Sequence, residues 1–162
     1  MSTFETGGYQ WRETYFVLFN SSNRPKLEAV SETLRALGPR FEIINPTGDA
    51  EGRFESITLR SPQDYAALDI SYMAGDEVIE QGAAMAKEMK SAAMDEQEKN
   101  DLNRLKKCDA RFDSLHFEQV SDDADESELD EMLDPSALLV ALDALVDLTD
   151  GIGIDPQSGA LM

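Results

Sequence analysis

Thr14-Tyr15-Phe16-Val17-Leu18-Phe19 is an almost continuous run of apolar residues, rich in aromatic and aliphatic side chains. A run of this length without alternating polar residues is typical of a β-strand that is buried on both faces. Ser21-Ser22-Asn23 and Pro25 follow it, and these residue types suit the cap and the first turn of a helix. We therefore predict that the fold begins with a buried strand followed by a helix.

The predicted helix ends near residue 37. Apolar side chains recur at every third or fourth position before that point, namely Leu27, Val30, Leu34 and Leu37. Gly38-Pro39 ends the pattern, because glycine favours a helix end and the proline opposes continuation. Three further segments predict strands, by apolar runs or by alternation of apolar and polar residues: residues 41–44, 54–59 and 67–72.

Residues 76–107 have helical composition, with no glycine or proline after Gly82. One helix of about thirty residues is long for a globular domain, so we predict a break near residues 91–95. Met85 and Met89 lie on one predicted face, which we interpret as core packing, with a methionine-lined partner groove as the alternative. The basic residues near the end of this segment complement the negative end of a helix dipole.

The last third of the sequence predicts three more elements. Residues 111–120 form a strand, and Asp134-Pro135 begins a helix that ends at Asp150-Gly151. Gly151 is expected to adopt the left-handed conformation common at helix ends. Residues 152–154 then form a short strand.

The order of predicted elements is β-α-β-β-β-α(-α)-β-α-β, which indicates an α+β fold. We expect a mixed, mainly antiparallel β-sheet with helices packed on one face, a two-layer sandwich whose start is compatible with a ferredoxin-like core. Residues 1–162 are expected to form one domain. Its predicted parts outside the main body are a loosely ordered lead-in (1–11), an acidic linker (121–134), and a C-terminal helix plus short strand (135–162).

Acidic residues dominate the charge of the chain. There are 33 acidic and 14 basic side chains among 162 residues, a net charge of −19. Residues 108–162 hold 15 of the acids and a single base, Arg111. Proteins that bind nucleic-acid phosphates need clustered lysine and arginine, so direct nucleic-acid binding is not expected.

Membrane insertion and secretion are not expected either. No apolar run approaches the ~20 residues of a membrane-spanning helix. The first eight residues have neither the basic nor the apolar region of a secretory signal. The single cysteine, Cys108, cannot form an internal disulfide, which suits a reducing compartment. We therefore expect a cytoplasmic protein.

The sequence holds no recognisable catalytic or metal-binding motif. Cys108 and His116 would meet only if the chain turned sharply between them, so we interpret them as an incidental thiol and a surface or sheet-edge histidine. One cysteine and one histidine are too few for a zinc site. A calcium-loop spacing that starts at Asp123 has Glu128 where glycine is needed. We expect no cofactor, no metal and no catalytic residue.

These observations favour a non-enzymatic protein-interaction module that engages a basic protein partner through its anionic C-terminal third. Two alternatives stay open. One is a small carboxylate-dependent enzyme, which requires a pocket with convergent carboxylates. The other is a homo-oligomeric structural or regulatory module in which the acidity serves only solubility. The interaction residues we predict form a diffuse anionic surface: Asp122, Asp123, Asp125, Glu126, Glu128, Asp130 and Glu131.

Overall fold

The computed structural model describes residues 9–39, 41–61, 66–89, 94–119 and 136–161. These residues form seven strands, four α-helices and a short 3-10 turn (Ser21–Asn23). In chain order the elements are β1 (Tyr9–Phe19), α1 (Leu27–Arg35), β2 (Glu42–Gly48), β3 (Phe54–Ser61), β4 (Ala66–Ala74), α2 (Asp76–Met89), α3 (Glu96–Leu105), β5 (Ala110–Gln119), α4 (Ser136–Thr149), β6 (Ile152–Asp155) and β7 (Ala160–Leu161).

All seven strands belong to one sheet, in the order β2-β3-β4-β5-β1-β6-β7. Every neighbouring pair is antiparallel. The first strand in sequence therefore lies inside the sheet, between β5 and β6. The α+β class and the mainly antiparallel sheet are confirmed.

The helices cover both faces of the sheet, whereas the sequence led us to expect one face. Val17 and Phe19 of β1 pack in a core cluster with residues of α1 and α4. Leu18 packs in a second cluster with residues of α2 and α3. Because successive strand residues point to opposite faces, the two helix pairs lie on opposite sides. This arrangement explains the apolar run in β1. Both faces of the strand are apolar because helices pack against both faces of the sheet.

The chain does not form a ferredoxin-like core at its start. β1 and β2 are separated in the sheet by β3, β4 and β5. A split β-α-β unit occurs instead near the C-terminus, where β5 and β6 both pair with β1 and are joined through α4. Long-range pairing, which the sequence order alone does not show, decides this arrangement.

Most predicted elements are found, with changes at their ends. The predicted break is confirmed, because α2 ends at Met89 and Asp95 caps α3 by accepting a hydrogen bond from the Glu98 amide at 2.8 Å. β1 begins at Tyr9, so part of the expected lead-in belongs to the sheet. β2 continues to Gly48, four residues beyond the predicted strand, and β7 was not predicted. The expected acidic linker lies outside the described residues.

Phe112 lies at the centre of the larger core cluster and has no exposed surface. Its ring centroid is 4.8 Å from that of Phe19 and 5.1 Å from that of Phe54, with tilted and edge-on geometries. These contacts join β1, β3 and β5 beneath α1 and α4. The aromatic cluster is therefore where the sheet and one helical layer meet.

Gly151 occupies the tight connection between α4 and β6. A Cβ at this position would lie 2.7 Å from the Leu18 carbonyl oxygen and 2.7 Å from Thr149 Oγ1. The left-handed conformation falls instead on Asp150, with φ of 51°. We expected a left-handed conformation at Gly151, and that expectation was wrong. The position requires glycine because the backbone of β1 lies too close for a Cβ atom.

Candidate functional site

The seven predicted interaction residues, Asp122, Asp123, Asp125, Glu126, Glu128, Asp130 and Glu131, all lie outside the described residues. Their role as an anionic surface stays a prediction. The described part of the C-terminal third comprises residues 108–119 and 136–161. Within it, α4 carries exposed carboxylates.

The outward face of α4 combines acidic and apolar side chains. Asp143 and Asp147 are exposed, and Val140 on the same face is 44% exposed. These positions share a face because they are separated by three, four and seven residues. The opposite face, with Leu142 and Leu145, is buried in the core. No described cation forms an ion pair with Asp143 or Asp147.

Arg111, the single base of the C-terminal third, does not neutralise this surface. It is 7% exposed and lies on the other side of the sheet, with its guanidinium carbon 4.6 Å from the Phe16 ring centroid. Its Nε is 2.7 Å from Asp113 Oδ1. The two groups form an ion pair without the geometry of a hydrogen bond. It also donates a hydrogen bond to Gln81 Oε1. Arg111 is therefore an internal cation.

Arginines and lysines differ in how they are paired. Six arginines form ion pairs with carboxylates, namely Arg12, Arg24, Arg53, Arg60, Arg104 and Arg111. None of the lysines in the described ranges does so. The uncompensated cations are thus mainly lysines, and five of the six lysines in the sequence fall between residues 87 and 107.

Three of these lysines line a groove of about 480 Å³ between α2 and α3. Lys87 belongs to α2, Lys99 belongs to α3, and Lys106 is the residue that caps the C-terminal end of α3; all three are exposed. The remaining lining is mostly small or apolar, from Ala83, Ala86, Leu102 and Asn103. We name this the lysine groove. It is a locally cationic site on a strongly acidic protein.

The lysine groove was not predicted, because the basic residues of this segment had been assigned to the end of a helix dipole. A signal was present in the sequence. Lys99, Leu102, Asn103 and Lys106 follow the spacing of one helical face. That spacing shows a cationic stripe, but the partner residues on α2 become neighbours only when the two helices pack.

His116 is not a surface histidine, and that prediction is wrong. It is 2% exposed and lies opposite Glu13 in the β1–β5 pair, next to a bulge between Trp11 and Glu13. Its Nδ1 is 3.2 Å from Glu13 Oε1. The Tyr15 hydroxyl donates to the same oxygen at 2.5 Å. The strand is buried here because α4 and α1 cover this face.

Glu13, Tyr15 and His116 form a polar cluster, and burial is the main cause of the pKa shifts of its tyrosine and histidine. It lowers the pKa of His116, although the Glu13 carboxylate acts in the opposite direction. It also raises the pKa of Tyr15, with a further increase from the hydrogen bond to Glu13. Tyr15 is 6% exposed, so neither it nor His116 is accessible to a substrate in solution. The cluster joins β1 to β5 through the contact between Glu13 and His116.

We predict acid-induced destabilisation through His116. The unfolded chain binds a proton at the ordinary histidine pKa of about 6.5, whereas the folded chain does so only at a lower pH. This contribution to stability is therefore complete above about pH 6.5 and is lost as the pH falls below that value. The melting temperature of the wild-type protein should fall between pH 7 and pH 5, as measured by circular dichroism.

The matched variant is His116→Gln, which removes the only imidazole of the chain. Its melting temperature should change less between pH 7 and pH 5 than that of the wild type. Hydrogen bonds lower the pKa values of Asp49 and Asp109. Their contributions to stability are therefore lost at a lower pH than that of His116. An equally steep decline in both proteins would show that His116 is not the titrating group.

Cys108 has the character expected of an incidental thiol. It is buried beside α3, and burial raises the pKa of its thiol to about 11. Its Sγ is 3.4 Å from the Arg104 carbonyl oxygen. The structure does not bring Cys108 and His116 together, since they belong to packing regions on opposite faces of the sheet. A thiolate nucleophile is not favoured here.

Two other grooves have one carboxylate each in their described lining. One groove beside Met85 and Met89 has Glu88 in its lining, and another beside Cys108 has Asp150. Asp69 is half-buried, and burial raises its pKa, but its described partner is the Thr58 hydroxyl at 3.4 Å. Within the described ranges, no group of three or more histidine, cysteine or acidic residues could hold a metal ion.

Comparisons with protein-family models, curated proteins and solved structures find no match for this chain. None of the described helices combines the length and apolar character needed to cross a membrane.

Proposed function

We propose that this chain is a non-enzymatic binding module that engages a basic protein through its anionic C-terminal third. The surface comprises the seven predicted residues of segment 121–134 and the outward face of α4. We further propose that the protein acts in the cytoplasm, where the unpaired Cys108 would stay reduced. This assignment includes neither a cofactor nor direct contact with nucleic acid.

The observation that carries the proposal is the outward face of α4. Exposed Asp143 and Asp147 have no described cationic partner, and Val140 lies beside them with 44% of its surface exposed. An apolar residue among uncompensated carboxylates suits an interface with an apolar contact and a charged rim. The carboxylates would attract a basic partner and accelerate association, while Val140 would slow its dissociation.

We predict that charge reversal on α4 slows this association. The probe is a synthetic 20-residue amphipathic helix with lysines on one face and leucines on the other. Replacing Asp143 and Asp147 by lysine should reduce the association rate constant about tenfold at low salt, because electrostatic steering is lost. Stopped-flow fluorescence at several salt concentrations measures this rate, and the difference should shrink as salt rises.

The matched control is Glu77→Lys with Glu80→Lys, two exposed carboxylates of α2 that produce the same change in net charge. This control should change the association rate less than twofold. A third variant, Val140→Ser, should increase the dissociation rate with little effect on association. An equal effect of the two charge-reversal variants would contradict the proposal, because it would show attraction by net charge alone.

A further inference from the structure

We propose that the lysine groove is a second binding site, specific for an acidic amphipathic helix of a protein partner. This site goes beyond the function proposed above, since it lies on the other side of the sheet and takes a ligand of opposite charge. Four properties of the groove support the assignment: its charge, its floor, its dimensions and its distance from the anionic surface.

The charge of the groove is uncompensated. Lys87, Lys99 and Lys106 are exposed along its edges, and no described carboxylate forms an ion pair with them. Elsewhere in the described structure most exposed arginines have carboxylate partners. An anionic ligand would therefore supply the missing partners of these lysines.

The floor of the groove is apolar and continuous with the protein core. Ala86 and Leu102 are buried members of the core cluster beneath α2 and α3, and Ala83 lies beside them. Small side chains let another helix approach closely, since the distance between packed helices depends on the residues in contact. A ligand with one apolar face would gain from this floor as well as from the lysines.

The dimensions of the groove suit a helix better than a single phosphate. Lys99 lies in α3 and Lys106 caps its C-terminal end seven residues later, which corresponds to about 10 Å along the helix axis. One phosphate group does not span that distance, whereas acidic residues two turns apart on a bound helix do. The lining also contains no arginine, the residue that binds phosphate in a bidentate manner. The geometry corresponds to recognition of an amphipathic helix in a groove.

The acidic surface of α4 does not cancel the local field of the groove. The sheet and a helical layer lie between them, and a helix with its side chains is about 10 Å across. Salt screens charges over about 8 Å at physiological ionic strength. The carboxylates of α4 therefore contribute little to the potential at these lysines, despite the net charge of −19.

The test uses a fluorescein-labelled 14-residue helical peptide with glutamates two turns apart and leucines between them on one side. Fluorescence anisotropy measures its dissociation constant with the full-length protein. Replacing both Lys99 and Lys106 by glutamate should weaken binding at least tenfold. The matched control, Lys26→Glu with Lys107→Glu, changes the net charge equally at exposed lysines outside the groove and should weaken binding less than twofold.

Two further measurements keep the test decisive. Ala83→Trp, which fills the groove without changing charge, should also weaken binding at least tenfold while the circular dichroism spectrum stays unchanged. A peptide with glutamine in place of glutamate should bind at least tenfold more weakly. Equal weakening by the two lysine variants would overturn the proposal. So would binding of pyrophosphate or anionic vesicles through Lys99 and Lys106 without binding of the peptide.

Discussion

Replacing Phe112 by alanine should lower the free energy of unfolding by about 3–5 kcal/mol, the range for a large aromatic residue removed from a packed core. The side chain has no exposed surface and contacts the rings of Phe19 and Phe54. Its removal would leave a cavity between three strands that belong to distant parts of the sequence. Because the strands are already paired, collapse around that cavity would be incomplete. Urea denaturation, followed by circular dichroism, measures the change.

The control for Phe112→Ala is Trp11→Ala, which removes a larger aromatic side chain from β1. Trp11 is 57% exposed, and its described hydrogen bond goes to the nearby Thr14 hydroxyl. Trp11→Ala should lower the free energy of unfolding by about 1 kcal/mol or less, as most surface substitutions do. Similar losses for the two variants would contradict the view that Phe112 is packed in the core and Trp11 is not.

Replacing Gly151 by alanine should destabilise the protein by about 3 kcal/mol, at the upper end of the usual range for an overpacked site. The added methyl group would lie 2.7 Å from the carbonyl oxygen of Leu18 in the central strand. Neither backbone segment moves easily, because β1 is paired on both sides and β6 follows directly after α4. The change should appear in urea denaturation as a lower midpoint with little change in slope.

Gly159→Ala separates this effect from backbone strain. Gly159 has φ of 68°, and a Cβ there would have no neighbouring atom within 4 Å. Because alanine is strained in this left-handed conformation, the substitution should lower the free energy of unfolding by roughly 1–2 kcal/mol. Gly151→Ala could instead lower the free energy of unfolding no more than Gly159→Ala does. That result would show that small backbone shifts relieve the close approach to Leu18.

Sequence patterns predicted the local elements because their causes are local. The apolar run in residues 14–19 indicated β1, and Asp134-Pro135 with the following leucines indicated α4. The break before Asp95 followed from the ordinary length of helices and was confirmed by its cap. Strand order could not be predicted in this way. The partners of β1 lie near residues 115 and 153, and nothing near residue 15 indicates those pairings.

The candidate surfaces show the same division between local and long-range information. Composition located the acidic third, whereas the structure shows that Asp143 and Asp147 are exposed on α4. The burial of His116 was missed because it depends on Glu13, which is 103 residues away in sequence. The lysine groove was missed because it needs α2 and α3 side by side. Features that form between distant segments become visible only once the fold is known.

The central position of β1 also affects how the chain folds during its synthesis. β1 is synthesised before the other strands of this sheet, yet its two sheet neighbours are residues 110–119 and 152–155. At about 5–20 residues per second, the strand waits several seconds or longer for its first native neighbour. During that time Phe16, Leu18 and Phe19 have no sheet to join. The nascent chain therefore presents an apolar strand that chaperones could bind, and slow non-local pairing should limit the folding rate.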